Sequence, residues 1–154
     1  MKIGIAADHG GFELKQKMSA LLQQAGHDIT DFGAHQYDAS DDYPDFVVPL
    51  AKAVAANTVD KGIAICGSGV GASIAANKIA GIRAALITEA YSAAQGVEHD
   101  AMNILCLGGR VIGEELAKVL VHAFVAAQYT GEERHNRRLS KVKELEGGRG
   151  RMEE

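Results

Sequence analysis

The sequence predicts an α/β protein with a three-layer α/β/α, Rossmann-like fold around a five-stranded parallel sheet. Short apolar segments alternate five times with segments of helical periodicity. The apolar segments are nearly free of polar residues, which is typical of parallel strands covered by helices on both faces. The length of 154 residues suits one domain, and the chain shows no internal repeat or linker. We therefore expect a single domain over residues 1–146 and a flexible tail over residues 147–154.

The strands are expected where apolar runs end at glycine or at polar residues. They are predicted at residues 2–7, 29–32, 63–65, 83–87 and 104–107. The second run is the weakest of the set, and the third continues into Cys66. Each strand is followed by a helical segment, as parallel strands require for their crossover connections.

The helices are predicted from apolar residues at helical spacing. The first carries Leu14, Met18 and Leu22 and ends at Gly26, and the second opens at Tyr43. The others are expected at residues 72–79, 89–98, 114–129 and 134–146. In the helix of residues 114–129, the side chains expected to face the core are Leu116, Val119, Leu120 and Phe124.

The overall composition excludes several classes of protein. The net charge is −4, tryptophan is absent and aromatic residues make up 5%, so a nucleic-acid partner is not expected. No apolar run approaches the roughly 20 residues of a membrane-spanning helix. The N-terminus enters a strand directly, without the pattern of a signal peptide. Cys66 and Cys106 both adjoin apolar runs, which favours reduced thiols and predicts a cytoplasmic protein.

The most informative stretch is GIAICGSGVGASIAANK, from Gly62 to Lys78. A buried strand runs into Cys66, and a glycine-rich turn separates it from a helix of small residues. The turn comprises Gly67, Ser68, Gly69, Val70 and Gly71. Glycine lets the backbone approach a ligand closely, and the N–H groups at a helix start attract anions. The same position favours the thiolate form of Cys66, whereas Cys106 is interpreted as a core residue.

The glycine-rich turn also has competing interpretations. Gly67, Gly69 and Ala72 fit the pattern G-x-G-x-x-A, and Glu89 lies at a suitable distance for a ribose contact. A dinucleotide site is therefore the main alternative to an anion site for a sugar phosphate. A redox-sensing thiol at Cys66 is a further alternative. A phosphatase-type loop is excluded, because it would need arginine where the chain has Ala72.

Other reactive side chains also follow predicted strands. Asp8 and His9 come after the first strand and Arg110 after the fifth, at the strand ends where such sheets bind ligands. Asp8 could equally cap the following helix. His99 lies just before the fifth strand, at the wrong edge for its own site. It is either a surface histidine or part of the site of a second subunit.

Arg134 and Arg138 lie four residues apart and therefore share a helix face. Two guanidinium groups on one face suit a phosphate group. Because Arg137, Lys141 and Lys143 are nearby, a solvated basic face is the competing interpretation.

Taken together, these motifs resemble the ribose-5-phosphate isomerase B family, which includes the galactose-6-phosphate isomerase subunits. The resemblance extends from Lys2 to about Val142, and the block GIAICGSGVGASIAANK is its most specific part. The remaining motifs are Asp8-His9-Gly10-Gly11, Asp42-Tyr43-Pro44, Gly81-Ile82-Arg83 and the Arg134/Arg138 pair.

The resemblance implies an aldose–ketose isomerase of the pentose phosphate pathway, acting on ribose 5-phosphate and ribulose 5-phosphate through an enediolate without metal or cofactor. It implies Cys66 as the base, His99 as the group that assists ring opening, and a homodimer, or a tetramer of two such dimers, with shared sites. Substrate contacts are implied for Asp8, His9, Tyr43, Asp100, Arg110, Arg134 and Arg138. The oxyanion is expected at the backbone N–H groups of Gly67, Ser68, Gly69, Val70 and Gly71.

One position departs from the family pattern. The family carries asparagine after the histidine, and this chain has Asp100 after His99. An ionised Asp100 would repel a developing enediolate, where an amide would donate a hydrogen bond to it. A one-residue insertion is also expected just before Arg134. Because of these two changes, allose 6-phosphate, galactose 6-phosphate and a four-carbon sugar phosphate remain alternative substrates.

Overall fold

The computed structural model describes residues 1–149 and confirms the predicted α/β/α fold. Its sheet consists of β1 (Lys2–Ala7), β2 (Asp28–Asp31), β3 (Lys61–Cys66), β4 (Ala84–Leu86) and β5 (Ile104–Gly108). All neighbouring strands pair in parallel, in the order β2-β1-β3-β5-β4. The helices are α1 (Phe12–Gln24), α2 (Pro44–Ala55), α3 (Val70–Ala76), α4 (Ala90–Asp100), α5 (Glu114–Ala126) and α6 (Glu133–Arg149).

The strand order places a topological switch point between β1 and β3. From β1 the chain moves outward to β2 and then returns to the other side of β1 to form β3. The loops that follow β1 and β3 consequently leave their strands in opposite directions and open a crevice between them. In open parallel sheets this crevice is the usual ligand site.

Two apolar layers hold the sheet between its helices. On one face, Ile63 and Ile65 of β3 pack in a cluster with residues of α1, α4 and α5, including Phe124. On the other face, Ala64 and Cys66 pack with α2 and α3. The strand period of two sends successive residues of β3 to opposite layers, which explains why the strands are apolar on both faces.

Several predicted helix boundaries are wrong, including both ends of α3, which stops at Ala76 instead of residue 79. Helix α3 begins at Val70 instead of residue 72, because Gly69 adopts a left-handed conformation (φ +80°) and the next residue is already helical. Helix α5 ends at Ala126 rather than at residue 129. The predicted tail also differs: α6 continues through residue 147 to Arg149, and residues 150–154 lie outside the described residues.

The apolar face of α5 is rotated from the predicted one. Leu120 and Phe124 are buried as expected, but Leu116 and Val119 are exposed. Ala117, Val121 and Val125 are buried instead. The buried face of the helix is therefore shifted towards Ala117, Val121 and Val125.

Lys15 is fully buried in α1, at a position that helical spacing alone leaves as a surface lysine. Its ammonium group donates hydrogen bonds to both carboxylate oxygens of Asp31 (2.7 and 2.9 Å) and to the carbonyl oxygen of Ala34 (2.6 Å). These bonds fix the start of the loop that leads from β2 towards α2. Among the described residues, no helix is both long and apolar enough to span a membrane.

Candidate active site

The loops after β1, β3 and β5 meet at one edge of the sheet. Gly109 donates a backbone hydrogen bond to the carbonyl of Cys66 (2.8 Å), and Arg110 donates one to the carbonyl of Gly67 (3.0 Å). A Cβ atom on Gly10 would lie 2.7 Å from the backbone nitrogen of Gly67, so a side chain there would force the loops apart. The predicted meeting of strand-end residues is thus confirmed for these three strands.

Cys66 ends β3 and is nearly buried, with 4% of its surface exposed. The backbone N–H of Gly69 donates a hydrogen bond to its sulfur atom at 3.1 Å. The bond exists because Gly69 turns the backbone back towards the end of the strand with a positive φ. The sulfur atom therefore has a backbone donor directed at it from within the turn.

The glycine-rich turn is less open than the sequence predicts. The N–H of Gly69 is engaged with Cys66, and the N–H of Val70 donates to the hydroxyl of Ser68 (3.2 Å). Two of the backbone donors expected for an oxyanion therefore have partners within the turn. Beside the turn, the ring of Tyr43 packs so closely on Gly71 that a Cβ atom there would lie 2.6 Å from its Cζ.

Asp8 does not cap helix α1, so that alternative is wrong. The N-cap of α1 is Gly11, and no side chain caps the helix. Asp8 is buried instead at the end of β1, where its Oδ1 accepts a hydrogen bond from the backbone of Gly10 at 2.9 Å. The second carboxylate oxygen leaves Asp8 with capacity for a ligand.

His9 and Arg110 form the cationic side of the crevice. Both line a cavity of about 700 Å³, whose other lining side chains include Tyr37, Lys17, Glu13 and Glu114. The pKa of His9 is raised above its usual value, chiefly by its hydrogen bond to Asp41 and despite the opposing effects of burial and of Arg110. The cavity adjoins the thiol loop through Arg110, whose Nη1 lies 3.6 Å from the position of a Cβ on Gly67. This side of the site suits a phosphate group.

The donor atoms of Asp8, His9 and Asp41 lie within 4.8 Å of one another. Two carboxylates and an imidazole are also common metal ligands. The ring nitrogen Nδ1 of His9 is, however, only 2.7 Å from Oδ1 of Asp41. A metal that used this nitrogen would have to displace the proton between them.

His99 and Asp100 lie at the opposite edge of the sheet from Cys66. They end α4, just before β5, and β5 pairs with β3 from Gly62↔Ile104 to Cys66↔Gly108. At a strand rise of about 3.3 Å per residue, these two edges are about 13 Å apart. The structure therefore separates His99 from the thiol of its own chain, as the sequence predicts.

His99 belongs to a second group of polar side chains, contributed by α4 and the start of α6. Its ring stacks on His135, with centroids 4.1 Å apart. The amide nitrogen of Gln95 lies 3.1 Å from Nδ1 of His99. Because an amide NH₂ can only donate, Nδ1 of His99 is the acceptor, and a neutral His99 carries its proton at Nε2.

Arg134 and Arg138 both lie near His135, which is 1% exposed. The pKa of His135 is lowered, mainly by burial and further by His99 and both arginines. Arg134 also donates a hydrogen bond to Glu132 at 2.9 Å. His99, His135, Arg134 and Arg138 thus form one cluster of basic residues, remote from Cys66.

Cys106 is confirmed as a core residue. It is fully buried, and burial raises the pKa of its thiol to about 12. Such a thiol is inert at neutral pH.

Three site residues escaped sequence analysis: Asp41, Tyr37 and His135. The ring of Tyr37 meets that of His9 edge-on at 6.4 Å. Asp41 lies 32 residues from its partner His9, so no local pattern connects the two. His135 offered the better signal, because it directly follows Arg134 within the predicted phosphate cluster.

The fold and this edge of the sheet define an α/β protein with a thiol beside a cationic pocket. The chain matches the family model described as ribose/galactose isomerase over residues 3–142. It is 46% identical to ribose-5-phosphate isomerase B of Escherichia coli over 145 residues, which cover 94% of this chain and 96% of that protein. The chain belongs to the ribose/galactose isomerase family.

Solved structures agree in fold. Ribose-5-phosphate isomerase B of Clostridium thermocellum is 47% identical, with a TM-score of 0.92 over 96% of this chain and 99% of its own. The Mycoplasma genitalium enzyme, solved with bound ribulose-5-phosphate, is 40% identical, with a TM-score of 0.90 over 95% of this chain and 96% of its own. Membership of this family favours the isomerase interpretation of the glycine-rich turn over the dinucleotide one.

Proposed function

We propose that this protein interconverts ribose 5-phosphate and ribulose 5-phosphate in the cytoplasm, with Cys66 as the base. The observation that carries the proposal is the hydrogen bond from Gly69 to the sulfur of Cys66 (3.1 Å), beside the cationic pocket of His9 and Arg110. The relatives named above support this substrate pair.

In this mechanism the thiolate of Cys66 removes the proton on the carbon next to the carbonyl group. The electron pair forms a C1–C2 double bond, and the carbonyl oxygen becomes the enediolate oxygen. The protonated thiol then returns the proton to the neighbouring carbon while the proton of the C2 hydroxyl passes to the oxygen on C1, so nothing is consumed. Phosphate binding by His9 and Arg110 holds the open chain so that both carbons remain within reach of the sulfur.

We further propose that each site is completed by a second copy of the chain. His99 is about 13 Å from Cys66 within one chain, by the strand rise given above, and Arg134 and Arg138 belong to the same cluster as His99. They can act on the same substrate only if another subunit supplies them. Large apolar side chains exposed around α3, β4 and α4 provide a surface for association: Val70, Ile74, Leu86 and Tyr91.

Subunit mixing tests the base and the shared site together. Cys66→Ala and His99→Ala should each lower kcat for ribose 5-phosphate by about a hundredfold or more, the usual contribution of an acid–base group. When the two variants are unfolded and refolded together in equal amounts, half of the dimers are mixed. Each mixed dimer has one intact site, so about a quarter of wild-type activity should return.

A Cys66→Ala variant with near-normal kcat would contradict the proposed base. Inactive mixtures in which mixed dimers are shown to form would contradict the shared site. Wild type should also be assayed with galactose 6-phosphate and allose 6-phosphate. Asp100 is exposed at the end of α4 and stands where the family pattern has an amide, so a preference for either hexose phosphate would change the proposed substrate but not the reaction.

A further inference from the structure

The geometry around His9 assigns a role to Asp41. His9 follows β1, and Asp41 lies in the loop between β2 and α2. One carboxylate oxygen of Asp41, Oδ1, is 2.7 Å from ring nitrogen Nδ1 of His9 and 2.9 Å from its backbone nitrogen. This double contact fixes both the backbone and the ring of His9. A carboxylate only accepts hydrogen bonds, so the proton between them is on Nδ1 of His9.

The burial of Asp41 adds a second constraint. Its side chain is 9% exposed, and within residues 1–149 its Oδ2 is buried without a hydrogen-bond partner. A buried carboxylate is costly unless a positive charge compensates it. The ring of His9 is the group in contact with it, so the pair is most stable when His9 is an imidazolium.

The other groups that face His9 fall into two sets. Asp8, on the same loop as His9, favours the charged form of His9. Asp38, from the loop that carries Asp41, does the same. Arg110, from the loop after β5, opposes it. Tyr37 covers one edge of the ring and is uncharged at neutral pH. The result is a raised pKa of His9, for which the hydrogen bond to Asp41 is the largest cause.

We propose that Asp41 is a positioning residue, which holds His9 as an imidazolium with Nε2–H directed to the phosphate group of the substrate. The role rests on the proposed function of the pocket. Without Asp41, the imidazolium loses its partner carboxylate and more of His9 is neutral, and a neutral ring with its proton on Nδ1 presents a lone pair at Nε2. That lone pair would repel a phosphate oxygen, whereas the imidazolium donates a charge-assisted hydrogen bond to it.

The pH dependence of KM follows from this arrangement. Substrate binds well while His9 is protonated and its phosphate is a dianion, so KM should be lowest from about pH 6, the second pKa of a phosphate ester, up to the raised pKa of His9. Above that pKa, KM should rise. In Asp41→Asn the pKa of His9 falls towards its usual value, so the rise in KM should begin at a lower pH.

Asp41→Asn is compared with Asp45→Asn, which removes the same charge from an exposed position in the first turn of α2. Between the usual pKa of histidine, about 6.5, and the raised pKa of His9, Asp41→Asn should raise KM for ribose 5-phosphate by up to roughly tenfold, the typical effect of losing a charged hydrogen bond. At about pH 6 the two variants should have similar KM. In both, kcat should stay within about twofold of wild type, because phosphate binding is remote from the proton transfer. A KM raised equally at every pH, or a fall in kcat at constant KM, would overturn the positioning role.

A second measurement does not depend on the enzymatic activity. Titration of the His9 ring by NMR in the ligand-free protein should give a midpoint above that of a free histidine in wild type, and a lower midpoint in Asp41→Asn. Inorganic phosphate should raise the wild-type midpoint further. If the wild type has no activity with ribose 5-phosphate but these shifts occur, the proposed function fails and the His9–Asp41 pair stands. Identical midpoints in wild type and Asp41→Asn overturn the pair itself.

Discussion

Replacing Gly69 with alanine tests how the left-handed turn supports the thiol, and the chain supplies a matched control in Gly26. Both glycines have positive φ, +80° and +88° respectively. A Cβ on Gly26 would meet nothing within 4 Å. A Cβ on Gly69 would lie 2.5 Å from Cδ1 of Leu86 and 2.9 Å from the backbone carbon of Leu107. The two substitutions share the backbone strain and differ in the clash.

The magnitudes can be worked from these contacts. A non-glycine residue in the left-handed region costs about 1 kcal/mol, which is the whole expected loss for Gly26→Ala. Gly69→Ala adds an overpacking cost of about 1–3 kcal/mol, because the backbone of β5 cannot move aside as a side chain can. The total is about 2–4 kcal/mol, a large part of the stability of a single domain.

The catalytic effect should separate the two variants further. A displaced Gly69 moves its N–H away from the sulfur of Cys66, to which it donates at 3.1 Å. For the thiolate base proposed above, loss of this hydrogen bond corresponds to about a tenfold fall in kcat. Gly26 lies beyond the C-terminus of α1, far from this edge, so Gly26→Ala should keep its kcat.

Urea unfolding gives the free energies, with the slope m compared between variants, and initial rates with ribose 5-phosphate give kcat. Protein concentration must be held constant, because association adds to apparent stability. If Gly69→Ala lost no more stability than Gly26→Ala and kept its kcat, the close packing of the turn on β5 would have no energetic role.

Two other predictions concern buried groups. Lys15→Met should destabilise the fold by about 2–3 kcal/mol. This loss is smaller than that expected for a fully buried ion pair, because the side chain of Asp31 is about one-third exposed. Lys17→Met, which breaks an exposed pair with Glu114, should cost under about 0.5 kcal/mol, and equal urea midpoints for the two variants would disprove the difference. Burial lowers the pKa of His135, so folding favours its neutral form. The resulting contribution to stability is present above the unfolded pKa of about 6.5 and is lost as pH falls through the folded pKa. His135→Phe, which cannot titrate, should therefore lose less stability than wild type between about pH 7 and pH 5. The control His122→Gln, at an exposed position, should follow wild type. Parallel curves of stability against pH for all three proteins would refute the role of His135.

Much of the fold was open to prediction because its signals are local. Apolar runs alternating with helical periodicity determine the parallel sheet and its covering layers. Glycine after Cys66 determines a turn, and parallel strands place the residues that follow them at one edge. The meeting of Cys66 with the loop of His9 and with Arg110 could therefore be inferred without coordinates.

Boundaries and burial were less predictable, because they depend on contacts between distant segments. The helix after the turn begins at Val70 since Gly69 is left-handed, and a sequence shows only that glycine permits this conformation. The burial of Lys15 depends on its hydrogen bond to Asp31. Asp31 lies outside α1, so the helical pattern of α1 gives no sign of this partner.

The sequence by itself determined the α/β class, the thiol at the end of β3 and the separation of His99 from that thiol, because each follows from short-range pattern and strand direction. Only the tertiary structure decided that Asp41 holds His9 and that His135 stacks on His99. These contacts join segments with no common periodicity, and their energies depend on burial and on distances of a few ångströms. The position of a carboxylate or an imidazole in the chain carries no information about either quantity until the chain has folded.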